Sequence, residues 1–216
     1  MESSTKIAVE TARSLLQIKA IKLSPQKPFT WASGLKSPIY CDNRLVLSHP
    51  EIRRFIIDSF EEKAKAMAPF DLIAGVATAG IAHGALLADR LNMPFVYVRA
   101  KAKEHGRQNL IEGEINGNER VLVIEDLIST GGSSVSAVEA LKEAGCAIAG
   151  ALAIFSYGFE AATSAFAQAA CPLDTLSNYE TLIAEAARSG YVNESDLELL
   201  KSWRINPRAW SESRVD

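Results

Sequence analysis

The chain has 216 residues, 48% apolar and 23% charged, which suits one folded core of ordinary domain size. Its formal net charge of -3 argues against a protein that lives on nucleic acid, where phosphate backbones select a basic excess, and leaves room only for a local basic site. Cys41, Cys146 and Cys171 stand far apart with no CxxC pair, which argues against a zinc site or a disulfide framework and for reduced thiols.

Ile7, Val9, Leu15, Leu16, Ile18 and Ile21 recur at roughly helical spacing and predict one amphipathic helix ending before Pro25. Phe29 to Arg44 is rich in turn formers and aromatics and predicts short strands or a hairpin, with Ser33-Gly34 in the turn. Pro50 opens a helix to about Ala68, as proline suits a first helical turn. A short apolar strand from Asp71 to Ala77 leads through Thr78-Ala79-Gly80 into a helix over about Ile81–Leu91, and Phe95–Val98 is the next strand. Arg99 to Asn118 is polar, without apolar period. Val121–Ile124 is a strand, followed by the acids Glu125 and Asp126, the small residues Ser129 to Ser134, and a helix over about Ser133–Ala144 with Gly145 as its C-cap. Cys146–Phe155 is a strand, about Ala161–Ala170 a helix, and Leu173–Leu176 a last strand. Helices near Glu180–Arg188 and Ser195–Trp203 close the chain.

Strands alternating with helices imply a parallel sheet covered on both faces, with ligands beyond the carboxyl ends of the strands. Three loops leave such ends: Thr78–Gly80, Arg99–Asn118 and Glu125–Ser133. Small residues at a helix start expose N–H groups to an anion, and Ser129, Thr130, Ser133 and Ser134 add hydroxyl donors. An ordinary turn would not need Glu125 and Asp126, which repel each other and gain nothing from packing. The pair beside the cradle suits a ribose 5-phosphate. The Walker and dinucleotide patterns both fail here. The long polar loop carries Arg99, Lys101, Lys103, His105 and Arg107, which suits a lid over a pyrophosphate. Thr78–Gly80 is a weaker candidate for a second phosphate. His83 reads as structural and His49 as a loop residue. Phe29–Arg44, with Lys36, could line a pocket for a flat anionic ring, or form a hydrophobic flap or a subunit contact.

Val121–Ser134 resembles the phosphoribosyl pyrophosphate (PRPP) motif of the type I phosphoribosyltransferases. Phe29-Thr30, Ser33-Gly34, Ser37-Pro38 and Tyr40 resemble the N-terminal region of the orotate phosphoribosyltransferases in particular, and Arg99 with Lys103–Gly106 their mobile catalytic loop. The resemblance runs from about Phe29 to Phe155 and leaves the last ~60 residues without a motif. It implies an α/β, Rossmann-like core with a central parallel sheet flanked by helices and a small N-terminal hood. The expected division is a single domain over 1–216, with the hood mainly from 1–48, the core over 50–178 and C-terminal helices over 179–216.

The resemblance also implies that PRPP and orotate give orotidine 5′-monophosphate and pyrophosphate with Mg²⁺, on the way to UMP. It implies a homodimer whose Arg99 loop acts in trans. Lys103 and Asp126 are then the catalytic residues. The PRPP site is Arg99, Lys103, His105, Glu125, Asp126, Leu127, Ile128, Ser129, Thr130, Gly131, Gly132 and Ser133. Within it, Glu125 and Asp126 hold the ribose hydroxyls, Thr130 to Ser133 the 5-phosphate, and Lys103, His105 and Arg99 the pyrophosphate. Ser129 also touches orotate. The metal has no direct side-chain ligand, being held mainly by substrate and water. Ala32, Thr78-Ala79 and Tyr157 stand where many bacterial members have lysine, Tyr-Lys and arginine, and carry no role over. Alternatives are a phosphoribosyltransferase for another base, or a PRPP-sensing regulator on the same fold. The absence of a run of ~20 apolar residues and of a signal-peptide core leads us to expect a cytoplasmic protein without membrane or nucleic-acid partners.

Overall fold

Alternating strand and helix signals after Pro50 require a sheet whose successive strands run the same way, and the computed structural model, which describes residues 2–31, 33–100 and 110–214, contains it. In chain order the elements are α1 (Glu2–Gln17), β1 (Ile21–Leu23), β2 (Phe29–Thr30), β3 (Lys36–Ser37), β4 (Ile39–Cys41), a 3-10 helix (Asn43–Ser48), α2 (Pro50–Lys65), β5 (Leu72–Val76), α3 (Ala79–Leu91), β6 (Phe95–Val98), β7 (Ile111–Glu112), β8 (Arg120–Ile128), α4 (Gly132–Glu143), β9 (Ala147–Ser156), α5 (Glu160–Gln168), β10 (Leu173–Asn178), α6 (Tyr179–Arg188), α7 (Glu194–Ile205) and α8 (Pro207–Glu212). The described residues divide into two compact units, 1–49 with 177–216, and 50–176.

In the larger unit the sheet order is β10-β9-β8-β5-β6-β7. β5 is parallel to both β6 and β8, β8 is parallel to β9, and only the short β7 is shown antiparallel, at the edge. Leu72, Ala74, Val76, Val96, Val98, Val121 and Val123 form one buried layer with Val138 and Leu141 of α4 and Phe166 of α5. The intervening residues point to the opposite face, as strand pleating demands, and there Gly75 meets α3. A Cβ on Gly75 would lie 2.8 Å from the Gly80 carbonyl, and one on Gly80 would lie 2.4 Å from the Ile124 carbonyl. Helix and sheet therefore touch backbone to backbone at the start of α3.

The smaller unit joins the N-terminal segment to α6, α7 and α8. Tyr179 and Trp203 are fully buried there, with rings 5.4 Å apart, and Trp31 meets Trp203 edge-on at 5.7 Å. The hairpin predicted around Ser33-Gly34 is present, with Phe29 opposite Ser37 and Thr30 opposite Lys36.

Among the differences from expectation, three stand out away from the strand end. The first helix stops at Gln17 instead of running to Ile21. Lys19 takes a left-handed φ of 57°, and Ile21–Leu23 pairs instead with Ile39–Cys41. Tertiary pairing overrides the helical spacing there. β7 lies inside the stretch expected to be one polar loop, too short to leave a periodic signal. α8 was not anticipated, although Asn206 caps it by accepting from the Ala209 N–H at 3.0 Å and Pro207 opens its first turn. No described helix is long and apolar enough to cross a membrane.

The backbone contact at Gly80 yields a stability test. Gly80→Ala should lower unfolding stability in urea by about 1–3 kcal/mol, the range for overpacking. Gly132→Ala should stay within about 0.5 kcal/mol, because a Cβ there meets nothing within 4 Å. Equal midpoints for the two variants would contradict this packing.

Candidate active site

The central strand of the site is longer than its apolar run. The ladder between β5 and β8 runs from Leu72 opposite Val121 to Gly75 opposite Ile124 and then stops, whereas β8 stays paired with β9 as far as Ile128 opposite Ser156. Glu125 and Asp126 are therefore strand residues, not loop residues, because β9 continues to offer a partner. They project where the chain order reverses, between β5 and β8, the crevice in which open parallel sheets take ligands.

Pleating starts the two side chains on opposite faces, yet their carboxyl groups stay within reach of each other. Glu125 points to the α4 side and is only 5% exposed, while Asp126 is half-buried. One Glu125 oxygen (Oε1) accepts from the Asp126 backbone N–H at 3.0 Å, and the other (Oε2) from the Ser134 hydroxyl at 3.0 Å. Burial, reinforced by the neighbouring Asp126 charge, pushes the Glu125 carboxyl up to about 8.

After Ile128 the chain turns through Ser129 and Thr130 to Gly131, whose φ of 83° suits glycine. A Cβ there would press to 3.2 Å from the Phe166 ring, so the turn lies against α5. No side chain caps α4. Its first-turn N–H groups, which have no partner within the helix, face the same end as the exposed Thr130, Gly132 and Ser133. Ser129 and Leu127 are half-buried. Ile128 is fully buried, and its carbonyl accepts from the Tyr157 N–H at 3.1 Å. Ser134, grouped from the sequence with the phosphate donors, instead turns inward to Glu125. Only its position, one helical step past Gly132–Ser133, could have signalled that.

The second turn lies alongside. The Ala77 N–H donates to the Val98 carbonyl at 2.8 Å, and the Ala77–Thr78 peptide is cis. Thr78 precedes α3 without a side-chain cap bond, and Gly80 sits on the Ile124 backbone. The structure thus brings together two helix N-termini and two carboxylates. From β6, the Arg99 N–H donates to the Leu110 carbonyl at 2.8 Å, and the Arg99 guanidinium pairs with Glu112 at 3.2 Å. Lys103 and His105, like Lys101 and Arg107, lie outside the described residues, as does Ala32.

The remaining candidates are structural in character. His83 is fully buried, has no hydrogen-bond partner among the described residues, and desolvation lowers its pKa to about 4, so it is a neutral core residue. His49 ends the 3-10 helix. Tyr157 is buried, with Phe155 edge-on at 5.8 Å and Phe159 at 5.5 Å. Cys41, Cys146 and Cys171 are free thiols. In the smaller unit, Lys36 donates from its Nζ to the Arg214 carbonyl at 2.5 Å, and its backbone N–H donates to the Ser211 hydroxyl at 2.8 Å. Among the described residues no three or more His, Cys, Asp or Glu side chains form a group that could hold a metal.

A family model for the phosphoribosyl transferase domain matches residues 46–177. The chain is 52% identical to an orotate phosphoribosyltransferase of Listeria monocytogenes, over 95% of this chain and 99% of that one. It is 28% identical to the crystal structure of the orotate phosphoribosyltransferase from Aeropyrum pernix, with a TM-score of 0.73, covering 84% of this chain and 99% of that one. A structure of UMP synthase from Leishmania donovani aligns with a TM-score of 0.77 and 26% identity, over 91% of this chain and 42% of that longer chain.

The buried carboxyl makes stability depend on pH. With its folded pKa raised from 4.5 to about 8, Glu125 holds a proton in the folded chain that the unfolded chain has released. Stability from this group is therefore present at low pH and lost as pH rises through that window, by up to about 1.4 kcal/mol per pH unit. Glu125→Gln should flatten this component of ligand-free urea unfolding between about pH 5 and 8. Parallel profiles for variant and wild type would show that Glu125 does not titrate there.

Proposed function

The chain belongs to the phosphoribosyl transferase family and, within it, to the orotate phosphoribosyltransferases of pyrimidine biosynthesis, and we propose that the acidic pair and the turn at the head of β8 hold the phosphoribosyl group during transfer. In the reaction the orotate ring nitrogen gives up its proton and forms a bond to C1 of the PRPP ribose, the bond from C1 to the pyrophosphate oxygen breaks, and pyrophosphate leaves with the electron pair. One observation carries the site assignment: a carboxylate fixed by two donors lies directly beside an uncapped helix N-terminus opened by Gly131.

In this reading Glu125 and Asp126 accept from the ribose hydroxyls. Thr130, Gly131, Gly132 and Ser133 meet the 5-phosphate with N–H and hydroxyl donors, an arrangement that a helix start favours. Leu127 and Ile128 belong to the PRPP site through the backbone that sets this turn. Ser129 lies nearest the base and touches orotate. Lys103 and His105 bind the pyrophosphate, with Lys103 and Asp126 as the catalytic pair. Fixing both substrates supplies alignment, and the cations stabilise the charge that develops on the leaving group.

The donor set fits Mg²⁺, which takes oxygen ligands and keeps much of its water. Both Glu125 oxygens already accept hydrogen bonds, so the cation would rely mainly on substrate oxygens and water, near Asp126. When bound, it neutralises charge between the ribose hydroxyls and the pyrophosphate. We further assign Arg99 to the neighbouring chain's pyrophosphate in a homodimer. For that it exchanges its half-exposed Glu112 partner for phosphate oxygens. The smaller unit corresponds to the hood that the resemblance implies, extended by the C-terminal helices.

Loss of orotate absorbance on adding PRPP and Mg²⁺, with hypoxanthine, adenine and uracil alongside, measures the reaction and its base preference. Lys103→Ala should lower turnover roughly 100-fold or more while leaving PRPP affinity within a few-fold; normal turnover would remove Lys103 from the chemistry. Mixing Asp126→Asn chains with Lys103→Ala chains should restore up to about a quarter of wild-type activity, because about half of randomly reassorted dimers are mixed and each has one intact site. No recovery in mixed dimers would count against loop sharing.

A further inference from the structure

A carboxylate that receives sugar hydroxyls must be aimed before the sugar arrives, otherwise the substrate has to order it. The terminal torsion of a glutamate is broad, so aiming requires donors on both oxygens. Glu125 has both. The Asp126 N–H on Oε1 is a neighbour along the strand, whereas the Ser134 hydroxyl on Oε2 comes from another element, nine residues on in the chain. Ser134 is 1% exposed in the first turn of α4, while Thr130 and Ser133 of the same turn are exposed. Its hydroxyl is thus closed to solvent and faces the acid. The two oxygens keep acceptor capacity beyond these two hydrogen bonds, which leaves room for the ribose hydroxyls.

We propose that Ser134 is a positioning residue that ties the phosphate turn to the acidic pair: its hydroxyl holds Glu125 in the orientation that receives the ribose hydroxyls. This rests on the reading of Glu125 as a sugar-binding carboxylate. Ser134 follows directly on Gly132 and Ser133, so the element that meets the 5-phosphate also anchors the acid that meets the sugar. Phosphate and hydroxyl recognition are coupled through one hydrogen bond, and a ligand carrying only the phosphate does not depend on it.

Steady-state kinetics on the full-length protein test this with Ser134→Ala, Ser134→Thr, Ser134→Cys, Glu125→Gln and the Glu125→Gln/Ser134→Ala double variant. Ser134→Ala should raise KM for PRPP about tenfold, as loss of a hydrogen bond to an acidic group implies. KM for orotate and inhibition by inorganic phosphate should stay within twofold. Threonine at 134 should restore most of the PRPP affinity. Cysteine, which keeps the volume with a weaker donor, should fall between serine and alanine and serves if the alanine variant does not fold. In the Glu125→Gln background the alanine change should add little.

A PRPP KM within twofold of wild type in Ser134→Ala, or no rescue by threonine, overturns the positioning role. So does phosphate affinity falling in step with PRPP affinity. If Glu125→Gln raises the PRPP KM while Ser134→Ala does not, only the role of Ser134 fails. If Glu125→Gln leaves that KM unchanged, the sugar-binding reading of Glu125 fails with it.

Discussion

The Ile124 carbonyl leaves no space for a side chain at position 80, since a Cβ there would approach it to 2.4 Å. The geometry of the site depends on that contact. It draws the start of α3 onto the backbone of β8 at the residue where β8 loses its β5 partner, so the Thr78–Gly80 turn arrives beside Glu125. Gly75 extends the same close packing by one strand, its Cα lying 3.3 Å from where a Cβ on Gly84 would stand. On the other side Gly131 lets the second turn fold against Phe166. Two helix N-termini converge on one strand end because glycines remove the side chains that would hold them apart.

That convergence creates an electrostatic problem that the buried carboxyl eases. A pocket for a phosphorylated sugar cannot readily hold two full negative charges beside it. Burial and the adjacent Asp126 raise the Glu125 pKa, so the pair gives up its second proton less readily than two separate carboxyl groups would. Helix N-termini contribute about half a charge each. The buried acid, the helix ends and the hydroxyls act on the same balance.

The sequence made the sheet and its order of elements legible, because β5, β6, β8 and β9 are apolar runs separated by helical periods. The Val121–Ser134 stretch stood out as a candidate site because adjacent acids do not belong at a strand end for packing. What stayed hidden is what depends on a distant partner. Ile21–Leu23 joins the helix by spacing but pairs with Ile39–Cys41 in space. Glu125–Ile128 read as a loop because its β9 partner is invisible locally. Ser134 read as one more phosphate donor, since nothing in a one-dimensional pattern distinguishes a serine that points out of a helix start from one that points under it. Lys36 stayed open between a pocket, a flap and a subunit contact, because its partners Ser211 and Arg214 lie more than 170 residues away.

The charge distribution around the two turns has a further consequence. Neither 77–81 nor 125–135 contains a lysine or arginine, so these turns offer an anion only dipoles and hydroxyls against two carboxyl groups. Such an environment can seat a sugar phosphate, but it is poorly suited to receiving the additional charge of a departing pyrophosphate. That charge has to be met by groups from elsewhere. The sequence concentrates Arg99, Lys101, Lys103 and Arg107 within nine residues directly after β6, and Arg99 already has an anionic partner, Glu112, to exchange. On the proposed reading, the strand end is suited to the sugar phosphate, and the charge of the pyrophosphate falls to cations that the sequence places after β6.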